Sequence, residues 1–221
     1  MSTEQPTAPA PTPQALVRIN DPAPQWTQVT THGEKSLSDY AGKWVVLFSH
    51  PADFTPVCTT EFVGFARRVE EFDALNTQLI GLSIDSVHSH IAWARDIEEN
   101  WGQEIPFPII ADLDMKVAKA YGMLHPGESA TAAVRAVFVI DPEQTMRAMI
   151  YYPLNVGRNM DEIVRLVTAL QTADAESVAM PADWTPGDPV VVPPPTTMDA
   201  ARARMDEPYD VKTWYFSTKK L

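Results

Sequence analysis

Between residues 43 and 172 the chain alternates short apolar runs with longer segments of helical periodicity, and this order restricts the fold more than any other feature. The runs predicted as strands are 43–49, 78–85, 107–111, 134–140 and 145–151. The segments predicted as helices are 59–76, 88–101, 115–121 and 159–172. The last two strands form a hairpin across the turn at Asp141-Pro142. This order predicts an α/β sandwich in which helices cover a central sheet.

The only cysteine, Cys58, follows the apolar run 44–48 and sits just after Thr55 and Pro56. A threonine followed by a proline is typical of a helix N-cap and the first helical residue. Cys58 is then expected in the first turn, where unpaired backbone N–H groups and the helix dipole stabilise a negative sulfur. A strand that leads into such a helix start is how a thioredoxin-like fold presents a reactive thiol. The alternative is a buried structural cysteine, a common fate of a lone free thiol.

The composition of the chain restricts its class and its partners. With 45% hydrophobic residues and no apolar run near the ~20 residues of a membrane span, the chain reads as soluble and globular, without a membrane span. Residues 1–17 lack the features of a secretory signal, and a single cysteine suits a reducing compartment, so we expect a cytoplasmic protein. The formal net charge of −12 argues against a nucleic-acid partner.

Several motifs in the same order resemble those of one protein family. The pattern Pro51-x-x-x-Thr55-x-x-Cys58 is similar to the peroxidatic motif of peroxiredoxins, and FSHPADFTPVCTTEF (48–62) resembles that of their 1-Cys subfamily. The further matches are AVRAVFVIDP (133–142), Tyr152-Pro153, Gly157-Arg158-Asn159 and Pro181-x-Asp183-Trp184-x-x-Gly187-Asp188. The resemblance covers roughly residues 18 to 218. It implies a thioredoxin-like sandwich with a C-terminal extension and the activity of a thiol-dependent peroxidase.

The resemblance also assigns roles around the thiol. Cys58 would attack one oxygen of a hydroperoxide and become a sulfenic acid. Thr55 and Arg135 match the family's donors to the peroxide oxygens, and Arg135 would also stabilise the thiolate. Pro51 would shield the thiolate from solvent. His50 resembles the subfamily's active-site histidine and could bind a substrate oxygen or orient a neighbouring group.

Two further charged residues are supporting candidates. Arg158 matches a second family arginine, and Glu61 could bridge it to Arg135. From the pattern alone, Glu61 could equally be an acidic residue that is favourable in a first helical turn. Arg135 could likewise be a surface charge, and His50 a structural histidine at a strand end.

A chain with one cysteine has no second thiol of its own to resolve a sulfenic acid. The reductant would therefore be an external thiol, either a small thiol or a thiol protein, and the sulfur would be open to over-oxidation. No cofactor is implied, and no metal site is predicted, because the His88-Ser89-His90 pair is better explained as a solvated helix start. The phospholipase element of some animal relatives is not matched, since Lys43 stands where its serine would be.

Prolines concentrate at both ends and suggest three parts. Residues 1–17 are predicted to be a disordered Pro-rich segment, 18–177 the thioredoxin-like peroxidase domain, and 178–221 the C-terminal peroxiredoxin extension. The aromatic residues within 205–218 suggest that this extension packs in a homodimer; a higher ring of dimers stays open.

The functional alternatives are a peroxide-sensing or chaperone-like redox protein, and a purely structural scaffold.

Overall fold

The computed structural model describes residues 16–221, so residues 1–15 of the segment predicted to be disordered, 1–17, lie outside the described residues. The strands are β1 Thr27–Thr30, β2 Gly33–Ser36, β3 Trp44–Ser49, β4 Thr77–Ser83, β5 Ile109–Ala111, β6 Arg135–Ile140, β7 Met146–Tyr152, β8 Val190–Val192, β9 Asp210–Thr213 and β10 Phe216–Lys219. The helices are α1 Pro56–Ala66, α2 Val69–Ala74, α3 Val87–Trp101, α4 Lys116–Ala120, α5 Met160–Glu176 and α6 Met198–Ala203. Two short 3₁₀ turns lie at Leu37–Tyr40 and Arg204–Asp206.

The main sheet has seven strands in the order β2-β1-β5-β4-β3-β6-β7. Strands β3, β4 and β5 run parallel, while β6 and β7 are antiparallel additions beyond β3. Every residue of β3 is buried, as expected for a central strand covered on both faces. This mixed sheet with helices confirms the predicted thioredoxin-like α/β sandwich.

Each face of the sheet has its own apolar core. Side chains alternate along β3, so Val46 and Phe48 face one core while Val45 and Leu47 face the other. The first core contains Phe62 and Phe65 of α1 and Trp93 of α3, and Phe48 stacks on Phe65 with ring centroids 4.0 Å apart. The helix that carries the cysteine is therefore packed directly on the central strand.

One predicted helix is divided in the structure. The helix expected over 59–76 breaks at Arg67 and Arg68 into α1 and α2. Arg68 leaves the helical conformation while its guanidinium donates to the carbonyl of Gly64 and pairs with Asp161 at the start of α5. Helical periodicity does not show this break, because Asp161, which pairs with Arg68, is 93 positions further along the chain.

The structure also contains elements that the sequence pattern did not predict. An N-terminal hairpin, β1 and β2, adds an edge to the main sheet. The C-terminal region forms a second sheet in the order β8-β10-β9, in which β8 is an edge strand that ends before Pro193. Both sets of strands have three or four residues each, too short for a clear alternating pattern.

The C-terminal extension is docked on α5 through Trp184. The indole is buried in a small apolar cluster with Ala169, Val178 and Val190, and its Nε1 donates to the carbonyl of Asp188 at 3.1 Å. The domain boundary at residue 178 stays a prediction, although α5 ends directly before a left-handed C-cap at Ser177. Within residues 16–221, no helix has the length and apolar character needed to cross a membrane.

Candidate active site

Cys58 lies in the first turn of α1, as predicted, and its side chain is fully buried. Thr55 occupies the N-cap position and Pro56 is the first helical residue. The Thr55 hydroxyl, however, donates to the carbonyl of Ala52 at 3.0 Å and makes no capping bond to the helix. The preceding residue, Phe54, has a positive φ of 54°, a conformation that costs a non-glycine residue about 1–2 kcal/mol. The loop between β3 and α1 therefore holds some backbone strain four residues before the thiol.

Arg135 contacts the sulfur from the neighbouring strand. It is the first residue of β6, which pairs with β3, and its Nη1 lies 3.3 Å from the Cys58 Sγ. The same guanidinium is held by two other bonds, with Nε donating to the carbonyl of Leu154 at 2.9 Å and Nη1 donating to Glu61 at 2.6 Å. The Cys58 sulfur therefore lies beside a fixed, positively charged hydrogen-bond donor.

Glu61 bridges the two candidate arginines. One of its oxygens accepts from Arg135 and from Arg158 Nη2 at 2.8 Å, and the other accepts from Arg158 Nε and the Arg158 backbone N–H, both at 2.9 Å. Burial raises the pKa of Glu61, but the charges and hydrogen bonds of Arg158, followed by Arg135, outweigh this effect and lower the pKa overall. Two buried guanidinium groups thus face one carboxylate, so one positive charge in excess lies next to the Cys58 sulfur.

Local sequence explains how these groups meet. Glu61 is three residues after Cys58, so both lie on the same side of α1. Gly157 lets the chain approach α1 closely, since a Cβ there would lie 3.3 Å from Val57 Cγ1. Arg158 can then donate both its backbone N–H and its side chain to Glu61.

A second buried cluster lies at the other end of the motif loop. His50, at the end of β3, places Nε2 2.8 Å from Asp53 Oδ1, and His90 on α3 places Nδ1 2.8 Å from Asp53 Oδ2. Burial lowers the pKa of His50, although the Asp53 carboxylate acts in the opposite direction. Burial raises the pKa of Asp53, but its hydrogen bonds from His50 and His90 lower it well below the ordinary range.

Asp53 and His90 were not among the predicted site residues. The prediction that His88-Ser89-His90 is a solvated helix start is wrong for His90, which is fully buried, whereas His88 is exposed. The helical spacing of His90, Trp93 and Ile97 places all three on the buried face of α3, and this signal could have been read from the sequence.

The donor atoms of His50, Asp53 and His90 lie within 4.8 Å of one another, close enough for the three side chains to share a metal ion. The contacts between them are 2.8–3.0 Å long, and each joins a histidine ring nitrogen to an Asp53 carboxylate oxygen, as a hydrogen bond does. A carboxylate shared by two ring N–H groups is satisfied without a metal ion, so this cluster is better described as a hydrogen-bond network.

The predicted site residues therefore fall into three groups. Cys58, Arg135, Glu61 and Arg158 are brought into direct contact. Thr55 and Pro51 lie in the adjoining loop, both partly buried. His50 bonds Asp53. The first group can hold a thiolate in a site partly closed to water. The Arg135 guanidinium beside the sulfur can donate hydrogen bonds to a substrate that the sulfur attacks.

Comparison with known protein families gives two matches along the chain. Residues 19–149 match the model of the AhpC/TSA family. Residues 169–207 match the model described as the C-terminal domain of 1-Cys peroxiredoxin. The two matches together cover most of the α/β sandwich and of the C-terminal extension, with residues 150–168 between them unmatched.

Individual relatives are similar over nearly their whole length. A peroxiredoxin of Aquifex aeolicus is 57% identical over 218 residues, covering 94% of this chain and 98% of the relative. A peroxiredoxin of Methanosarcina mazei is 56% identical over 212 residues, covering 91% and 97%. The solved structure of a yeast mitochondrial 1-Cys peroxiredoxin superposes with a TM-score of 0.84 at 42% identity, covering 93% of this chain and 100% of that one. A cysteine-to-serine mutant of peroxiredoxin 6 of Arenicola marina gives 0.82 at 34% identity, covering 93% and 99%.

Proposed function

Because this chain belongs to the 1-Cys peroxiredoxins of the AhpC/TSA family and is a thiol-dependent peroxidase, we propose that it reduces hydrogen peroxide and organic hydroperoxides through a sulfenic acid on Cys58. The observation that carries this proposal is the Arg135 Nη1 at 3.3 Å from the Cys58 Sγ, held in place by Glu61 and the Leu154 carbonyl. The biological role that follows is antioxidant defence.

The chemistry is a two-electron displacement on oxygen. The Cys58 thiolate attacks one peroxide oxygen, the O–O bond breaks, and the other oxygen leaves as hydroxide or alkoxide and takes up a proton. The attacked oxygen stays on sulfur as the sulfenic acid, so sulfur is oxidised and the peroxide is reduced. Arg135 is a proposed donor to the peroxide oxygens, and so is the Thr55 hydroxyl, which must turn from the Ala52 carbonyl to donate. Pro51 is proposed to shield the thiolate, and His50 to be a further substrate contact.

An external thiol is proposed to complete the cycle. It condenses with the sulfenic acid to a mixed disulfide and water, and a second thiol then releases reduced Cys58 and a disulfide. Two facts support this route: Cys58 is the only cysteine of the chain, and the yeast structural neighbour is described as resolved through glutathione/thioredoxin systems. A cytoplasmic location is proposed because such thiols are kept reduced there.

Stopped-flow oxidation of the reduced protein by hydrogen peroxide tests this function, with Trp fluorescence as the signal and Cys58→Ser as the control. We expect a second-order rate orders of magnitude above that of a free thiol, absent in the variant, and sustained turnover once a thiol reductant is added. A rate equal to that of free cysteine would overturn the proposal. Fast oxidation without turnover by any thiol would instead favour the peroxide-sensing or chaperone-like alternative.

A homodimer is proposed as the working unit. The extension exposes a set of large apolar side chains, which are Met198, Met205, Trp214, Tyr215 and Phe216. Such a concentration is typical of a protein interface, and the proposed occupant is a second copy of this chain. Trp214→Glu should convert the dimer to a monomer in sedimentation experiments, whereas Trp101→Glu, at an equally exposed tryptophan of α3, should leave it intact. A Trp214→Glu protein that sediments like the wild type would contradict this interface.

A further inference from the structure

The cluster of His50, Asp53 and His90 joins four parts of the fold directly behind the motif loop. His50 follows β3, Asp53 lies in the loop that leads to Cys58, and His90 lies on α3. The fourth partner is β5, because His90 Nε2 lies 3.1 Å from the carbonyl oxygen of Ile110. All three side chains are almost entirely excluded from solvent.

The partners of His90 determine where its protons are. A carbonyl oxygen only accepts hydrogen bonds, so Nε2 must donate to Ile110. The other ring nitrogen, Nδ1, lies 3.0 Å and 2.8 Å from the two oxygens of the Asp53 carboxylate, so it must also donate. In this arrangement His90 carries both ring protons and its positive charge is paired with Asp53.

The partners of His50 indicate a different protonation state. Its Nε2 donates to Asp53 Oδ1 at 2.8 Å. Its Nδ1 is buried and has no hydrogen-bond partner within the described part of the chain. With the Asp53 charge already paired with His90, His50 stays neutral and Nδ1 keeps its lone pair. Burial, which lowers the pKa of His50, acts in the same direction.

The other charged group near this cluster is Asp85. Its Oδ2 accepts the backbone N–H of Asp53 at 3.0 Å and the Ser83 hydroxyl at 2.7 Å, so it holds the loop and is itself satisfied. Its negative charge opposes the burial effect on the His50 pKa, as does that of Asp53, whereas the charge of His90 acts with burial. The charged and titratable groups around His50 are therefore Asp53, His90 and Asp85.

We propose that His90 is a positioning residue for the peroxidase reaction, which acts through Asp53 to keep His50 neutral with Nδ1 as a hydrogen-bond acceptor. The O–H group of a hydroperoxide is a donor that matches this acceptor, whereas a protonated Nδ1–H would repel it. This inference rests on the proposed function, and in particular on the proposed contact between His50 and substrate.

Removing His90 should change the charge state of His50. Without His90, the buried Asp53 carboxylate has His50 as its remaining cationic partner, and an unpaired buried charge is unfavourable. His50 then takes up a second proton near neutral pH, and its Nδ1 changes from acceptor to donor. As the pH is lowered, the rate of peroxide reduction should consequently begin to fall at a higher pH in this variant than in the wild type.

The experiment compares His90→Phe with His88→Asn, an exposed histidine on the same helix. The second-order rate of Cys58 oxidation is measured from pH 5 to pH 8. We expect the pH of half-maximal rate to rise by about 1 unit in His90→Phe and to stay unchanged in His88→Asn. A His90→Phe protein with a lower melting temperature but an unchanged pH profile would show that His90 is merely structural.

A measurement on the wild-type protein covers the case in which His90→Phe does not fold. The ¹⁵N chemical shifts of the histidine side chains at pH 7 should show both nitrogens of His90 protonated and His50 with a proton on Nε2 alone. A neutral His90, or a protonated Nδ1 on His50, would overturn the inference. Slow oxidation of the wild type would instead contradict the proposed function, so the two failures are distinguishable.

Discussion

At the residue scale, the site depends on a buried carboxylate that organises two arginines around one sulfur. Glu61 holds Arg135 by one bond and Arg158 by three, and Arg135 reaches the Cys58 Sγ from this fixed position. The geometry of the guanidinium therefore matters as well as its charge, because a lysine ammonium has no planar fork with which to bond several partners at once.

The first prediction concerns Arg135→Lys. The substitution keeps the positive charge but loses the simultaneous bonds to Leu154, Glu61 and the sulfur, so the second-order rate with hydrogen peroxide should fall by about 100-fold. Stopped-flow fluorescence measures the rate, and Arg95→Lys, on the outer side of α3, is the matched control. A rate within a factor of two of the wild type would mean that charge alone is sufficient.

The second prediction concerns Glu61→Gln and pH. The pKa of Glu61 is lower in the folded state than its ordinary value. The ionised carboxylate therefore stabilises the fold fully above the ordinary pKa, and this stabilisation is lost as the pH falls through the lowered pKa. Loss of the carboxylate leaves two buried guanidinium groups without their counter-charge and should cost about 3 kcal/mol at pH 7.

Urea unfolding at pH 7 and at pH 3.5 measures both effects. The difference between wild type and Glu61→Gln should be smaller at pH 3.5, because the wild type itself then begins to lose this contribution. Glu99→Gln, at an exposed glutamate of α3, should differ little from the wild type at either pH. Equal losses at both pH values would show that the ionisation of Glu61 is not the cause.

At the scale of elements, the position of the thiol depends on how α1 packs against the sheet. Phe62, one turn after Cys58, lies against Phe48 of β3 and against Gly81 of β4. A Cβ on Gly81 would lie 3.0 Å from Phe62 Cζ and 3.5 Å from Phe48 Cζ. The absence of a side chain on β4 therefore determines how closely the cysteine-bearing helix approaches the strands.

The third prediction follows from this contact. Gly81→Ala should push Phe62 away from the sheet and destabilise the protein by about 1–3 kcal/mol. Urea unfolding measures the change. The control is Gly127→Ala, at a glycine where an added Cβ would meet no atom within 4 Å. If both variants are equally stable, the packing of α1 on β4 is more adaptable than the structure indicates.

At the scale of the whole molecule, Trp184 joins the C-terminal extension to α5 of the sandwich. Its indole is the largest side chain of the docking cluster, which comprises Ala169, Val178, Trp184 and Val190, and its carbonyl accepts from Arg165 Nη1 at 3.1 Å. Most of the exposed apolar residues of the extension lie beyond this point, on α6, β10 and the turn before β10. The docking cluster therefore fixes the position of the proposed dimer surface relative to the sandwich.

The fourth prediction is that Trp184→Ala releases the extension before the sandwich unfolds. The lost burial of a tryptophan should weaken docking by about 3 kcal/mol, so a protease should cut residues 178–221 faster than in the wild type. Mass spectrometry of the fragments locates the cuts, and Trp101→Ala, at a half-exposed tryptophan, is the control. Unchanged cleavage would mean that other contacts hold the extension.

The sequence by itself determined the alternation of strands and helices between residues 43 and 172, apart from the break at Arg68, and the place of Cys58 in the first turn of a helix. These features depend on neighbouring residues: the apolar run 44–48, the pair Thr55-Pro56 and the helical spacing after it. The roles of Arg135, Arg158 and Glu61 came from resemblance to a family, because nothing in their spacing indicates that they meet.

Only the tertiary structure decided which groups surround the sulfur and the motif loop. Arg135 is 77 residues from Cys58 and His90 is 37 residues from Asp53, and both approaches depend on strand pairing and on how α3 packs. The break between α1 and α2 at Arg68 and the docking of Trp184 on α5 have the same origin. Local patterns record the preferences of neighbouring residues, whereas these contacts exist because burial and charge pairing are satisfied between distant parts of the chain.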